Sequence, residues 1–182
     1  PEIQATLMDT MGTVYTSLGL YDPAVQLVRK GYERRQKLWG ESHPEVASSL
    51  AHLGEVLTLK SEYEEAEKRL RAALEIRKQT FGKSSREVAD TLSLLAEVLG
   101  HKGEYVQGEA LIREALAIRQ GLYGKAHPDI ARSIEDLGMN FYARGEYETA
   151  LAHLRDAAAM QRQLHPGAHP DLARATDNLA FA

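Results

Sequence analysis

A period of 42 residues constrains this chain more than any other feature. Tyr21, Tyr63, Tyr105 and Tyr147 stand 42 apart without exception, each preceded two positions earlier by a turn former: Gly19, Ser61, Gly103 and Gly145. The pentapeptide HPEVA (His43–Ala47) returns as HPDIA (His127–Ala131) and HPDLA (His169–Ala173), and the place between the first two is held by SREVA (Ser85–Ala89). Small residues fill further columns: Gly12, Gly54, Ala96, Gly138 and Ala180; Ala24, Ala66, Gly108 and Ala150; Gly31, Ala73, Ala115 and Ala157. Large apolar residues stand before the first of these, at Met11, Leu53, Leu95, Leu137 and Leu179. A fixed period of this length means one structural unit written several times, each burying its apolar face only against its neighbours. The columns predict one array over 1–182, with repeats at about 2–43, 44–85, 86–127 and 128–169 and the first helix of a fifth at 170–182.

Within a unit the apolar spacing is helical. Leu92, Leu95, Val98 and Leu99 follow i, i+3, i+6, i+7, the turn HKGEY (His101–Tyr105) interrupts, and a second stripe is read through Ala110, Leu111, Ala115, Leu116 and Ile118. Each repeat is therefore expected to be a helical hairpin, and the fold all-α. The second helix carries Glu64–Lys68, Glu65–Arg69 and Glu67–Arg71 at i, i+4, the pattern of a solvated face. Pro44, Pro128 and Pro170 sit where a first helix should begin, since proline's missing N–H costs nothing there, and Gly40, Gly82 and Gly124 should end the helix before. The His-Pro motif thus reads as punctuation between repeats. The small columns should let paired helices approach closely.

Composition narrows the function classes. The 182 residues are 43% hydrophobic and 26% charged, with a net charge of −4 and both signs interspersed, so there is no basic footprint for nucleic acid. No apolar run approaches a membrane span and no signal-peptide pattern opens the chain. The absence of cysteine excludes disulfides and thiolate metal sites and fits a reducing compartment, the cytoplasm. The chain begins at PEIQ without Met and ends in mid-pattern at NLAFA, so it is expected to be a fragment of a larger protein.

Three further patterns invite chemistry. His43, His127 and His169 are one repeat apart, about a helix diameter, too far to share a zinc ion whose ligands lie about 2 Å from it. His165 and His169 are closer, but Pro166, Gly167 and Pro170 forbid a helix holding them together, so no metal and no cofactor is expected. Arg35, Arg77 and Arg119 recur at 42, with Gln161 breaking the column. A repeated charge reads first as architecture, pairing the acid after each proline (Glu45, Asp129) or the end of its own helix, and second as a ligand contact. Trp39, Phe81 and Tyr123 precede the glycines, with His165 in the equivalent place, an aromatic column for packing. No G-x-S-x-G, phosphate loop or H-E-x-x-H is present, so no enzyme is expected and no catalytic residue is named.

These columns resemble the tetratricopeptide repeat: large–Gly (Leu53–Gly54), then Gly–x–Tyr (Gly103, Tyr105), then Ala, large apolar, Ala (Ala66, Leu70, Ala73). The family's usual unit is 34 residues, and the 42-residue unit with ALEIR and ALAIR followed by Gly and His-Pro looks like the kinesin light chain and nephrocystin branch; the extra residues belong to a longer second helix and its loop. The first repeat (Ala5–Ala24) also looks like repeat regions appended to bacterial serine/threonine kinases. The resemblance implies a right-handed α-solenoid of antiparallel helix hairpins, whose first helices line a concave groove for a protein or peptide.

By the same resemblance, groove positions fall at Thr13, His52, Glu55, Asp90, Glu97, Arg132, Asp136, Met139, Tyr142, Arg174 and Asn178. The column that clamps a terminal carboxylate in related grooves reads Thr10, His52, Leu94, Asp136, Asn178, so that clamp is missing. The acids towards the middle point to a partner segment with basic residues, anchored near Met139 and Tyr142; the ordinary alternative is a solvated face. The rival function is structural: self-association or autoregulation, through a C-terminal edge of Leu172, Leu179 and Phe181 left unburied where the fifth repeat stops.

Overall fold

A computed structural model of the chain describes residues 2–165, 167 and 169–181, the side chain of Phe181 excepted. Nine helices and no strand occur among these residues: α1 (Glu2–Ser17), α2 (Tyr21–Trp39), α3 (Pro44–Leu59), α4 (Tyr63–Phe81), α5 (Arg86–His101), α6 (Tyr105–Tyr123), α7 (Pro128–Ala143), α8 (Tyr147–Leu164) and α9 (Pro170–Phe181). They group into two compact units, Pro1–Lys83 with the hairpins α1/α2 and α3/α4, and Ser84–Ala182 with α5/α6, α7/α8 and the single helix α9. In the first unit α2 packs on α3; in the second α6 packs on α7 and α8 on α9. First helices α1, α3, α5 and α7 have 16 residues, second helices 18 or 19, which is where the lengthened repeat puts its extra chain.

The tyrosine column opens every second helix, and the residue two before it closes the turn. Gly19, Gly103 and Gly145 have φ of 73°, 78° and 79°, and Ser61 takes the same left-handed conformation at 66°. That geometry lets the next N–H reach back across the helix end: Leu20 to the Tyr15 carbonyl, Glu62 to Leu57, Glu104 to Leu99, Glu146 to Phe141, all between 2.8 and 3.0 Å. Such a bond satisfies a carbonyl that would otherwise be orphaned at the C-terminus.

The His-Pro punctuation is more than a proline effect. The imidazoles of His43, His127 and His169 each accept a hydrogen bond at Nδ1 from the N–H two residues on, Glu45, Asp129 and Asp171, at 3.2 Å. Ser85, where His-Pro is missing, caps α5 by accepting from the Val88 N–H at 3.3 Å. Each histidine ring also stacks on the aromatic column at the end of the helix before: Trp39 on His43 at 4.7 Å and Tyr123 on His127 at 3.8 Å. The motif ends one hairpin and starts the next with a single ring.

Hairpin packing follows the small columns. A Cβ on Gly54 would lie 2.6 Å from Leu70 Cγ, and one on Gly138 would lie 2.7 Å from Leu154 Cγ, so both positions require glycine against a γ-branched partner. Ala96 carries a methyl in the same column opposite Ile112, with which it forms a core cluster that includes Leu137. The buried face of α6 accordingly runs through Gly108, Ile112, Ala115 and Arg119, and Ala110, expected on that face, is exposed. Leu53, Leu57, Leu70, Leu92, Leu95, Leu99, Ile130 and Leu154 are the largest fully buried apolar side chains.

Ser61 pays a conformational penalty that its column mates avoid. An L-residue in the left-handed region costs about 1 kcal/mol more than glycine, and the Ser61 side chain is exposed. Ser61→Gly is expected to raise the unfolding free energy by about 0.5–1 kcal/mol, read from urea midpoints at unchanged m-value.

Candidate functional site

Arg35 and Arg119 of the arginine column serve the architecture, chiefly through partners other than the acids after each proline. Arg35, on α2 and 5% exposed, donates to Asp9 on α1 of its own hairpin and, at 2.8 Å, to Ser49 Oγ on α3 of the next. Glu45, the expected partner, lies only at 3.9 Å. Arg119, on α6 and 4% exposed, repeats the arrangement with Ser93 on α5 at 2.9 Å, Asp90 on α5 at 2.9 Å and Ser133 on α7 at 2.6 Å. Between the two repeats the acid moves one helical turn, from the Asp9 column to the column before it, and still faces the guanidinium.

In the fourth repeat the polarity is reversed. Gln161 stands in the arginine column, 1% exposed, and its amide has no protein partner. The Asp9–Ser93 column now carries Glu135, 1% exposed, and the cation comes from the following first helix: Arg174 and Asn178 on α9 both donate to Glu135, with Arg174 also 3.5 Å from Asp171. Arg174 and Asn178, assigned to the groove from sequence, are thus half-buried and committed to holding α9 on α7. Asp90 is likewise tied to Arg119 and lies 3.6 Å from Arg86.

The other groove residues range from exposed to half-buried. On α7, Arg132, Asp136, Met139 and Tyr142 recur at i, i+4, i+7 and i+10 and so share one face; Arg132 is exposed and the other three are half-buried. Burial pushes the Asp136 carboxyl up to about 6, with Glu135 adding to the shift and Arg132, Arg119 and Arg174 opposing it. Tyr142 packs edge-on against Tyr147. Glu97 on α5 is exposed and 4.0 Å from His101. In the other unit, Glu55 is exposed and His52 lies 3.4 Å from the Thr13 hydroxyl.

His165 and His169 are brought together after all, though not by a helix between them. His165 caps the end of α8, His169 precedes α9, and the rings stack at 3.6 Å with planes 3° apart. Pro166, which the sequence argument invoked, lies outside the described residues. With Asp171 they place one ligating atom each within 4.8 Å of one another. Parallel stacked rings keep their nitrogen lone pairs in two separate parallel planes, and His169 Nδ1 is engaged with the Asp171 N–H, so the arrangement is that of the Trp39–His43 and Tyr123–His127 junctions with imidazole in the aromatic place. A chelate would require the stack to open.

Among the described residues no helix is long and apolar enough to cross a membrane. A family model described as tetratricopeptide repeat matches residues 2–79 and 87–163. No curated protein sequence matches. Solved structures do: BtubC (BKLC) from P. vanneervenii has a TM-score of 0.79 at 23% identity, over 91% of this chain and 66% of that one. A putative kinesin light chain from Podosopora anserina with nearly identical TPR-like repeats gives 0.82 at 19% identity, over 100% of this chain and 86% of its own. A Rap protein solved in complex with Competence and Sporulation Factor gives 0.81 at 18% identity, over 97% of this chain and 47% of its own. The shared feature is the fold, an all-α array of repeat hairpins.

Two outcomes follow from the buried charges. Asp9→Ala strands the Arg35 guanidinium and is expected to cost about 3 kcal/mol, whereas Glu67→Ala, which removes a partner of the half-exposed Arg71, costs about 0.5 kcal/mol or less; chemical denaturation separates them. Asp136, with its folded pKa raised from 3.8 to about 6, contributes stability that is present below pH 4 and lost as pH rises through 6. Asp136→Asn should therefore be more stable than the native chain by about 1–3 kcal/mol at pH 7.5, with the gain fading towards pH 4, as paired urea melts would record.

Proposed function

From the premise that this chain belongs to the tetratricopeptide repeat family, a family of protein–protein interaction scaffolds, we propose that it is a non-catalytic scaffold whose face on α7 receives a protein or peptide segment with a basic residue beside an apolar one. The observation that carries this is the Asp136 carboxyl. It stands half-buried between Arg132 and Met139 on α7, and burial has already weakened its hold on a charge. A carboxylate that is costly to ionise alone gains most from an incoming cation, because the partner supplies the neutralisation that water cannot. Met139 and Tyr142, further along the same face, offer the partner's apolar side chain a surface. Glu97 adds exposed negative charge on α5. The Rap relative solved with a bound factor is consistent with recognition on a fold of this type.

The second reading, a self-associating or autoregulatory element, would draw on the C-terminal edge, where Leu172 and Leu179 are half-buried and the Phe181 side chain lies outside the described residues.

A peptide-display screen on the native chain and on Asp136→Asn tests the leading reading. Peptides with Lys or Arg next to a large apolar residue should be enriched by the native chain and lost on the variant. Their affinity should fall about 10-fold between pH 7 and pH 5 as Asp136 is protonated. Enrichment of the same peptides by both proteins, or an affinity that is flat with pH, would reject it.

A further inference from the structure

The repeat columns supply an internal control for α7, an inner helix that packs on both α6 and α8. Arg132 belongs to the column Thr6, Ser48, Asp90, Arg132, Arg174. Every other member is engaged within the fold. Thr6 and Ser48 donate to the Glu2 and Pro44 carbonyls, Asp90 pairs with Arg119, and Arg174 pairs with Glu135. In the column of Asp136, Thr10 donates to the Thr6 carbonyl, His52 meets the Thr13 hydroxyl, Asn178 donates to Glu135, and Leu94 has no polar group to place. Arg132 and Asp136 break this rule together, in one repeat: among the described residues neither makes a hydrogen bond or closes an ion pair. They stand one turn apart with the cation first, the less favourable order for an i, i+4 pair. The field of Arg132 reaches Asp136 without the two side chains meeting.

We propose that this face recognises a dipolar protein segment: the partner that brings a basic residue to Asp136 also brings an acidic residue to Arg132, in the order apolar, basic, acidic along the line Met139, Asp136, Arg132. The proposal rests on the reading of Asp136 given above and adds the second charge. By helix geometry Asp136 lies about 4.5 Å along the axis from Met139, and Arg132 about 6 Å beyond it. A partner carrying a cation alone would set it about one turn from the Arg132 guanidinium and meet its repulsion. An acid on the far side of that cation turns the repulsion into attraction, and each of the four charges then has opposite charges for neighbours. Glu135, next in sequence to Asp136, does not divert the basic residue, because it is buried and already holds Arg174 and Asn178. The order of charges is fixed relative to the apolar residue, so it holds whichever way the partner's chain runs.

The test is a double-mutant cycle between the full 182-residue chain and peptides selected on it by display. Peptides retained by the native chain should carry an acidic residue beyond the basic one. Replacing that acid by its amide should raise Kd about 5-fold on the native chain, by titration calorimetry at low salt and about pH 8, and under about 2-fold on Arg132→Gln. Circular dichroism should show Arg132→Gln as helical as the native chain, since the fold makes no hydrogen bond or ion pair through that guanidinium. The exchanged chain, Arg132→Asp/Asp136→Arg, should select the order apolar, acidic, basic; the cycle itself does not depend on that variant. Equal losses on the native chain and on Arg132→Gln, or a native selection indifferent to the acid, would overturn the dipolar partner while leaving the basic residue at Asp136 in place. A native chain that selects nothing, or the same peptides as Asp136→Asn, would overturn both readings.

Discussion

One buried guanidinium joins three helices wherever the arginine column is intact and described with its partners. Arg35 and Arg119 each leave a second helix four residues before its C-terminal end, bond an acid on their own first helix, and bond a serine on the first helix that follows. Hydrophobic contact alone would let one hairpin slide on the next, because it is non-directional. A fork of charge-assisted bonds does not slide, since any displacement leaves a buried cation unpaired at a cost of several kcal/mol. The small columns bring the helices close enough for this to operate. Gly54 and Gly138 sit against Leu70 and Leu154 with no space for a methyl group, so the approach distance and the polar register are set by different residues and agree.

The hairpins, their lengths and their boundaries were legible in the sequence because each depends on a local rule repeated at a fixed step. Proline starts a helix, glycine ends one, and a column of tyrosine marks the next start. What could not be read was which side chains would spend themselves on structure. Asp90, Arg174 and Asn178 lie on first-helix faces that sequence alone assigns to a ligand, yet their partners come from residues dozens of positions away: Arg119 for the first, Glu135 for the other two. A period locates a position in the repeat but says nothing about which of two charged neighbours across a junction will take it. The histidines show the same limit from the other side. Their role as punctuation was visible through the proline, while the stacking and the Nδ1 cap depend on a loop geometry that no periodicity contains.

Asp136 illustrates how packing creates a functional candidate from an ordinary residue. Its column holds Thr10, His52, Leu94 and Asn178 elsewhere, with no common chemistry. Only in the fourth repeat does a carboxyl occupy it, next to Glu135, which has already claimed the cation of α9. The neighbouring arginines lower the cost of ionising Asp136 without abolishing it, and its carboxyl remains near 6. Burial, more than the charges of that junction, is what leaves Asp136 under-compensated, since Arg174 on α9 itself favours the ionised form.

Departures from the period are the most informative residues in an array like this one, because the other repeats show what the position does when it serves only the stack. His165 departs from an aromatic column and keeps its function, since an imidazole still stacks on His169. Gln161 departs from the arginine column and the function moves to Arg174, so the junction is preserved by exchange. Both departures are compensated within the fold, one by an imidazole that still stacks and the other by an exchange of charge across the junction, and neither needs a partner to explain it.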